Sequence, residues 1–267
     1  MTAIILLNWN GYKDTIECLA SLFACVRQDF VWAVVDNGSE NESVREITAF
    51  LNDKGKDFSV VKQGEAPSSP LKAGQGIVYC LKENYGFAKG NNLGIALVEQ
   101  LTQAGEKPSH YLLLNNDTLV ESDFLEKLET FAYEHPKYVA LTPQIRYAEP
   151  RNRIWNCGGK MFFGLRKYLY GEKQVEELEK SCHARRGFID INLITGCALF
   201  AKRELLRSEG LLTNRFFFGE EDFDFSLRMQ EEGKKMACVL NSVIYHKLGT
   251  THKNFISKKK IYLYYLT

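Results

Sequence analysis

Ala3-Ile4-Ile5-Leu6-Leu7-Asn8-Trp9-Asn10-Gly11 is an apolar run that stops at a polar, glycine-containing turn. A continuous apolar stretch this short reads as a strand buried on both faces. The pattern recurs. Val31-Trp32-Ala33-Val34-Val35 runs into Asp36-Asn37-Gly38-Ser39, and Tyr111-Leu112-Leu113-Leu114 runs into Asn115-Asn116-Asp117. Between these runs, helical spacing predicts helices over 12–26, 42–51 and 91–103, the first with Ile16, Leu19, Leu22 and Phe23 on one stripe. Two more strands are expected over 58–61 and 77–81, with a Pro- and Gly-rich loop between them. Strands alternating with helices at this pace predict an α/β fold with a Rossmann-like, mostly parallel central sheet flanked by helices. In such sheets ligands bind beyond the carboxyl ends of the strands. The exits at Asn8, Asp36 and Asn115 therefore become neighbours in space.

The second half of the chain is less regular. Ser122 is expected to cap a helix running to residue 135. Short strands follow over 138–142, 154–156 and 166–170, then a charge-dense stretch over 172–186 read as a solvated helix or loop. Strands are expected over 189–194, 198–201, 236–240 and 243–245, and a helix over 222–230. No repeat, low-complexity tract or linker divides the chain. Residues 1–267 therefore read as a single domain, with a donor half over 1–117 and an acceptor half over 118–267.

Composition narrows the function classes. The 267 residues are 45% apolar and 25% charged, with a net charge of +1, so no overall field favours nucleic acid. No apolar run has the length of a membrane span or a signal peptide. The seven cysteines are odd in number and form no C-x-x-C pair. That pattern suits reduced thiols in a cytoplasmic protein.

Three segments carry candidate chemistry. Asp117 leaves a buried strand, where a hard divalent cation would take one carboxylate and complete its shell with phosphate oxygens. Asn115 and Asn116 beside it are neutral partners for ribose or phosphate. Taken alone, this triplet is better explained as a plain helix-capping turn. Asn84-Tyr85-Gly86-Phe87-Ala88-Lys89-Gly90-Asn91-Asn92-Leu93-Gly94 comes next. Its glycines, Gly90 among them, let backbone approach a ligand, and Asn91 or Asn92 is expected to open a helix whose amides suit an anion. The third is Phe216-Phe217-Phe218-Gly219-Glu220-Glu221-Asp222-Phe223-Asp224, read as acids crowding a helix start behind an aromatic strand. Acids at a helix N-terminus stabilise it in any case. Crowding and desolvation also raise a carboxylate's pKa toward base strength. Asp224 and Arg228 sit four apart and are placed to pair. His246 ends the last apolar run at a strand exit.

In this order the segments resemble glycosyltransferase family 2, whose members adopt the GT-A fold. Asn8-Trp9-Asn10 and Val34-Val35-Asp36-Asn37-Gly38-Ser39 look like its first strand exit and nucleotide-base loop. Asn84 to Gly94 is similar to its N-x-G-F-x-x-G-N-N segment. Asn115-Asn116-Asp117 stands where the family has D-x-D, and Thr195-Gly196-Cys197-Ala198 where it has the segment under the acceptor. Glu221-Asp222-x-Asp224 with Arg228, and Val243-x-x-His246, match its late motifs. Asn115 departs from the first acid of D-x-D, and Thr213-Asn214 stands where many members carry an acid.

The resemblance implies an inverting sugar transfer from a nucleotide-diphosphate donor (UDP- or dTDP-linked) to a hydroxyl of a glycan or lipid-linked acceptor. Within the family the rhamnosyltransferase-like members that build bacterial surface polysaccharides look most similar. On this reading Asp36 reads the base with Asn8, Asn10 and Asn84 nearby. Gly90, Asn91, Asn115 and Asn116 also face the donor. Asp117 and His246 hold Mg²⁺ or Mn²⁺, and Asp222 is the base, with Glu221 as the competing candidate. A sugar nucleotidyltransferase and a sugar-nucleotide- or glycan-binding protein without turnover are the rival readings. Lys258-Lys259-Lys260 followed by Ile261 to Leu266 suits peripheral contact with the inner face of the cytoplasmic membrane, or a last helix packed on the core.

Overall fold

A computed structural model of the chain describes residues 1–65, 70–162, 165–208 and 210–248. The segment with Lys258 to Leu266 lies outside them. The first half supplies β1 (Thr2–Asn8), α1 (Tyr12–Phe23), β2 (Val31–Asp36), α2 (Ser43–Asp53), β3 (Phe58–Lys62), β4 (Gly76–Cys80), α3 (Phe87–Leu101) and β5 (His110–Asn115). After β5 come β6 (Thr118–Val120), α4 (Phe124–Glu134), β7 (Tyr138–Tyr147), β8 (Ile154–Asn156), β9 (Gly159–Phe162) and β10 (Leu165–Tyr168). The chain continues through α5 (Val175–Glu179), α6 (Cys182–Arg186), β11 (Phe188–Ile191), β12 (Ala198–Lys202), α7 (Glu221–Glu231) and β13 (Lys235–His246).

Eleven strands form one sheet in the order β11-β13-β7-β12-β5-β1-β2-β4-β3, with β6 on β13 and β8 on β7. From β5 to β3 all pairs are parallel, and β12 enters antiparallel between β5 and β7. β9 and β10 form a separate hairpin. Alternating side chains of β1 go to opposite cores. Ala3 and Ile5 pack with Ile95 and Val98 of α3, while Ile4 and Leu6 pack with Leu19 of α1, Ile47 of α2 and Leu128 of α4. Both faces of the sheet are thus covered, which is why its strands are apolar throughout. The register puts Leu7 opposite Asn115 and Asn8 opposite Asp36, so three polar exits stand side by side.

Several boundaries differ from the sequence reading. α3 begins at Phe87, four residues early, because Gly86 turns the chain at φ 81. Asn91 and Asn92 therefore lie inside the helix rather than at its opening. α4 starts at Phe124, and its N-cap position falls to Asp123 rather than Ser122. No strand forms at Phe216, Phe217 and Phe218. The expected pair of strands at 236–240 and 243–245 is one strand, β13, with its register to β7 broken between Val239 and Val243. The stretch over 172–186 folds as two short helices, the second begun by the Ser181 side chain and ended by Gly187 at φ 79. Asp117 does not cap a helix. It precedes β6, which pairs Thr118 with His246.

Candidate active site

The exits of β1 and β2 are tied into one polar network. The Asn8 side chain donates to Asp36 (2.7 Å) and to the Ser39 hydroxyl (3.2 Å), and accepts from Thr15 (2.8 Å). Ser39 Oγ donates in turn to Asp36 at 2.6 Å. Asn116 extends the chain of contacts by donating to Thr15 at 2.9 Å. Asn8 and Asp36 are buried, while Asn10 is exposed at φ 55 and holds the Glu40 amide through its side chain. Asparagine tolerates that left-handed turn. The sequence reading missed Asn37. Its amide donates to Asn84 and its carbonyl oxygen accepts from the Tyr85 N–H, which ties β2 to the turn before α3.

That turn also receives the second half of the chain. Phe87 N–H donates to the Phe217 carbonyl at 2.8 Å. A Cβ on Gly86 would lie 2.2 Å from the same oxygen, so only glycine fits. Asn92 donates to the carbonyl of Leu212 and accepts from the N–H groups of Leu211 and Leu212. Asn91 donates back to Phe87, and Gly90 packs against Leu7 and Asn37. These three residues brace the loop from behind. No spacing rule could have shown the roles of Gly90 and Asn92, whose partners are remote in the sequence.

Asp117 and His246 meet at the far side of the exits. His246 Nε2 lies 3.1 Å from Asp117 Oδ1. Burial alone would depress the imidazole's pKa. The Cys197 sulfur and the Asp117 carboxylate outweigh it, and the pKa is raised. Two ligand atoms at adjacent corners of an octahedral ion are about 3 Å apart when each bond is about 2.1 Å. The observed spacing fits that requirement. One carboxylate and one imidazole are too few to cage an ion. Among the described residues no cluster of three His, Cys, Asp or Glu side chains is arranged to hold a metal. This donor set suits a cation that takes its other ligands from phosphates and water.

The acids at the start of α7 complete the site. Glu221 is 6% exposed, and its Oε2 has no hydrogen-bond partner. Burial raises its pKa to about 7. Asp222 is only partly buried and accepts from Gly196 N–H at 3.2 Å. Burial raises its pKa as well, against that hydrogen bond. Glu220 forms an ion pair with Arg166 of β10, whose guanidinium lies 3.7 Å from the Phe223 ring. Asp224 and Arg228 pair at 3.4 Å. The segment at Gly196 and Cys197 links both sides of the site. Gly196 N–H holds Asp222, and the Cys197 carbonyl accepts from Asn115 N–H at 2.9 Å.

Residues 17–261 match the family described as Glycosyltransferase like family 2, and the chain belongs to that family. Two solved structures share its GT-A fold. One is a fragment of S. aureus TarS covering 1–349, at TM-score 0.56 and 15% identity, matched over 92% of this chain and 60% of that one. The other is the mannosyltransferase PcManGT from Pyrobaculum calidifontis in complex with GDP-Man and Mn²⁺, at TM-score 0.59 and 13% identity, over 93% and 57%. The chain thus spans about three fifths of each. No match was found among curated proteins.

Proposed function

We propose that this chain transfers a sugar from a nucleotide-diphosphate donor to an acceptor hydroxyl with inversion. The observation that carries the reading is the link through Gly196 and Cys197. It sets a partly exposed carboxylate, raised in pKa by burial, beside the strand exits where an α/β sheet binds its ligand. Asn10, Asn84, Asn115 and Asn116 face the donor. Asn8, Asp36, Gly90 and Asn91 hold that floor from beneath. Asp117 and His246 hold a divalent cation, which when bound neutralises charge growing on the diphosphate. Asp222 takes the acceptor proton on the face opposite the leaving group. Glu220 adds a like charge that raises the pKa of Asp222, and the neighbouring Glu221 is buried with one carboxyl oxygen unpartnered.

The test is a thermal-shift screen with UDP-glucose, UDP-N-acetylglucosamine, GDP-mannose and dTDP-rhamnose, with and without Mn²⁺. Binding to the folded state raises the melting temperature by mass action. One donor should stand out, and only with the metal. A response to free nucleoside triphosphates alone, followed by pyrophosphate release, would replace this reading with nucleotidyl transfer.

A further inference from the structure

The β9–β10 hairpin has two faces of opposite chemistry. Its register pairs Phe162 with Leu165, Met161 with Arg166, Lys160 with Lys167 and Gly159 with Tyr168. Side chains alternate along each strand, so Met161, Arg166 and Tyr168 share one face, and Phe162, Leu165, Lys160 and Lys167 share the other. The first face is committed to the protein. Met161 is buried, Arg166 holds Glu220 and covers Phe223, and Tyr168 lies near enough to Asp222 to feel its charge.

The other face is more open, with Lys160 half-buried within reach of the Asp190 charge. Phe162 is 60% exposed and Leu165 76% exposed, and they form the last cross-strand pair of the ladder. Behind them Lys160 and Lys167 stand directly opposite each other. Like charges so placed repel, and exposed apolar pairs remain hydrated. An anionic bilayer relieves both at once. Its acyl boundary accepts the phenyl and isobutyl groups, and its phosphates accept the two ammonium groups.

We propose that this outer face of the hairpin docks on an anionic lipid surface. The other face of the same two strands is clamped to the acids of α7. Docking therefore brings the acceptor side of the site to the membrane, where a lipid-linked hydroxyl is presented. That last step rests on the proposed transfer reaction, while the docking does not.

Flotation of the full chain with phosphatidylcholine vesicles, with and without phosphatidylglycerol, separates the two. The unaltered chain should float only with phosphatidylglycerol. Phe162→Ser with Leu165→Ser, and separately Lys160→Glu with Lys167→Glu, should lower the bound fraction at least about tenfold. Replacing Lys258, Lys259 and Lys260 by Ala should leave most binding in place. As a check independent of these losses, the fluorescence of Phe162→Trp should be quenched by brominated phosphatidylglycerol. Hairpin variants that float like the parent, or an unquenched tryptophan, overturn the proposal. So does loss of self-association in the Ser variant without any change in flotation, which would assign the face to a second copy of the chain.

Discussion

The polar groups at the exits of β1 and β2 and those at the start of α7 are built on opposite terms. At the exits, Asn8, Thr15, Asp36 and Ser39 satisfy one another, and Asn37 and Asn84 satisfy the next turn. At α7, Glu221 keeps a buried oxygen without a partner, and burial lifts the pKa of both Glu221 and Asp222. A satisfied network stiffens a fold and holds a shape. An unsatisfied acid costs stability and retains reactivity. The first region is thus a rigid floor, and in the proposed reaction the second supplies the proton chemistry.

The largest expected effect breaks the reactive side. Asp222→Asn keeps the shape and removes the base, so turnover at saturating substrates should fall by roughly 10²–10⁴-fold. Its melting temperature should change little. Glu221→Gln should be the milder enzyme. Exchange of the two outcomes would make Glu221 the base.

Glu221 also separates the regions by pH. Its carboxyl titrates near 7 in the fold, against an ordinary value of 4.5. The folded state therefore holds a proton that the unfolded chain has released. Stability from this group is complete below about 4.5 and is lost as pH rises through about 7. The shift corresponds to at most about 3 kcal/mol. Denaturation of the parent and of Glu221→Gln from pH 5 to pH 8 should show the parent losing stability and the variant losing less. Parallel curves would mean that Glu221 is ionised and solvated.

The floor should respond in the reverse sense. Asn8→Ala leaves Asp36 and Thr15 short of partners in a buried site, at a cost of about 2 kcal/mol by urea denaturation. Residual turnover per folded molecule should stay near the parent's. A stable but inactive variant would place Asn8 on the ligand instead. The smallest effect lies at the metal side. Asp117→Ala should weaken donor binding in Mn²⁺ by about tenfold or more, or roughly 1.4 kcal/mol, by calorimetry. Equal affinity with and without chelator in the parent would mean that donor binding needs no metal.

The strands and their polar exits were legible because short apolar runs ending in Asn, Asp and Gly leave few alternatives. The pairing of Asp117 with His246 is what the family resemblance implies, and the two side chains lie 3.1 Å apart. The start of α3 was not legible. Asn91 and Asn92 look like capping residues, yet Asn92 is spent on the backbone of Leu211 and Leu212, more than a hundred residues away. β13 was read as two strands because Asn241 and Ser242 interrupt its apolar run. Ser242 is buried all the same, and its hydroxyl donates to the Phe124 carbonyl. Arg166 and Tyr168 carry no motif, and only the hairpin's packing on α7 brings them to the site.

The proposed inverting transfer to an acceptor hydroxyl rests on Asp222 as the base. The most direct measurement is proton NMR of the product's anomeric configuration, taken with nucleoside diphosphate release for the donor selected by thermal shift. The expected result is acceptor-dependent release of the diphosphate, a product anomer opposite to the donor's, and loss of both signals in Asp222→Asn. A product that retains the donor's configuration, or release that does not depend on Asp222, would contradict it.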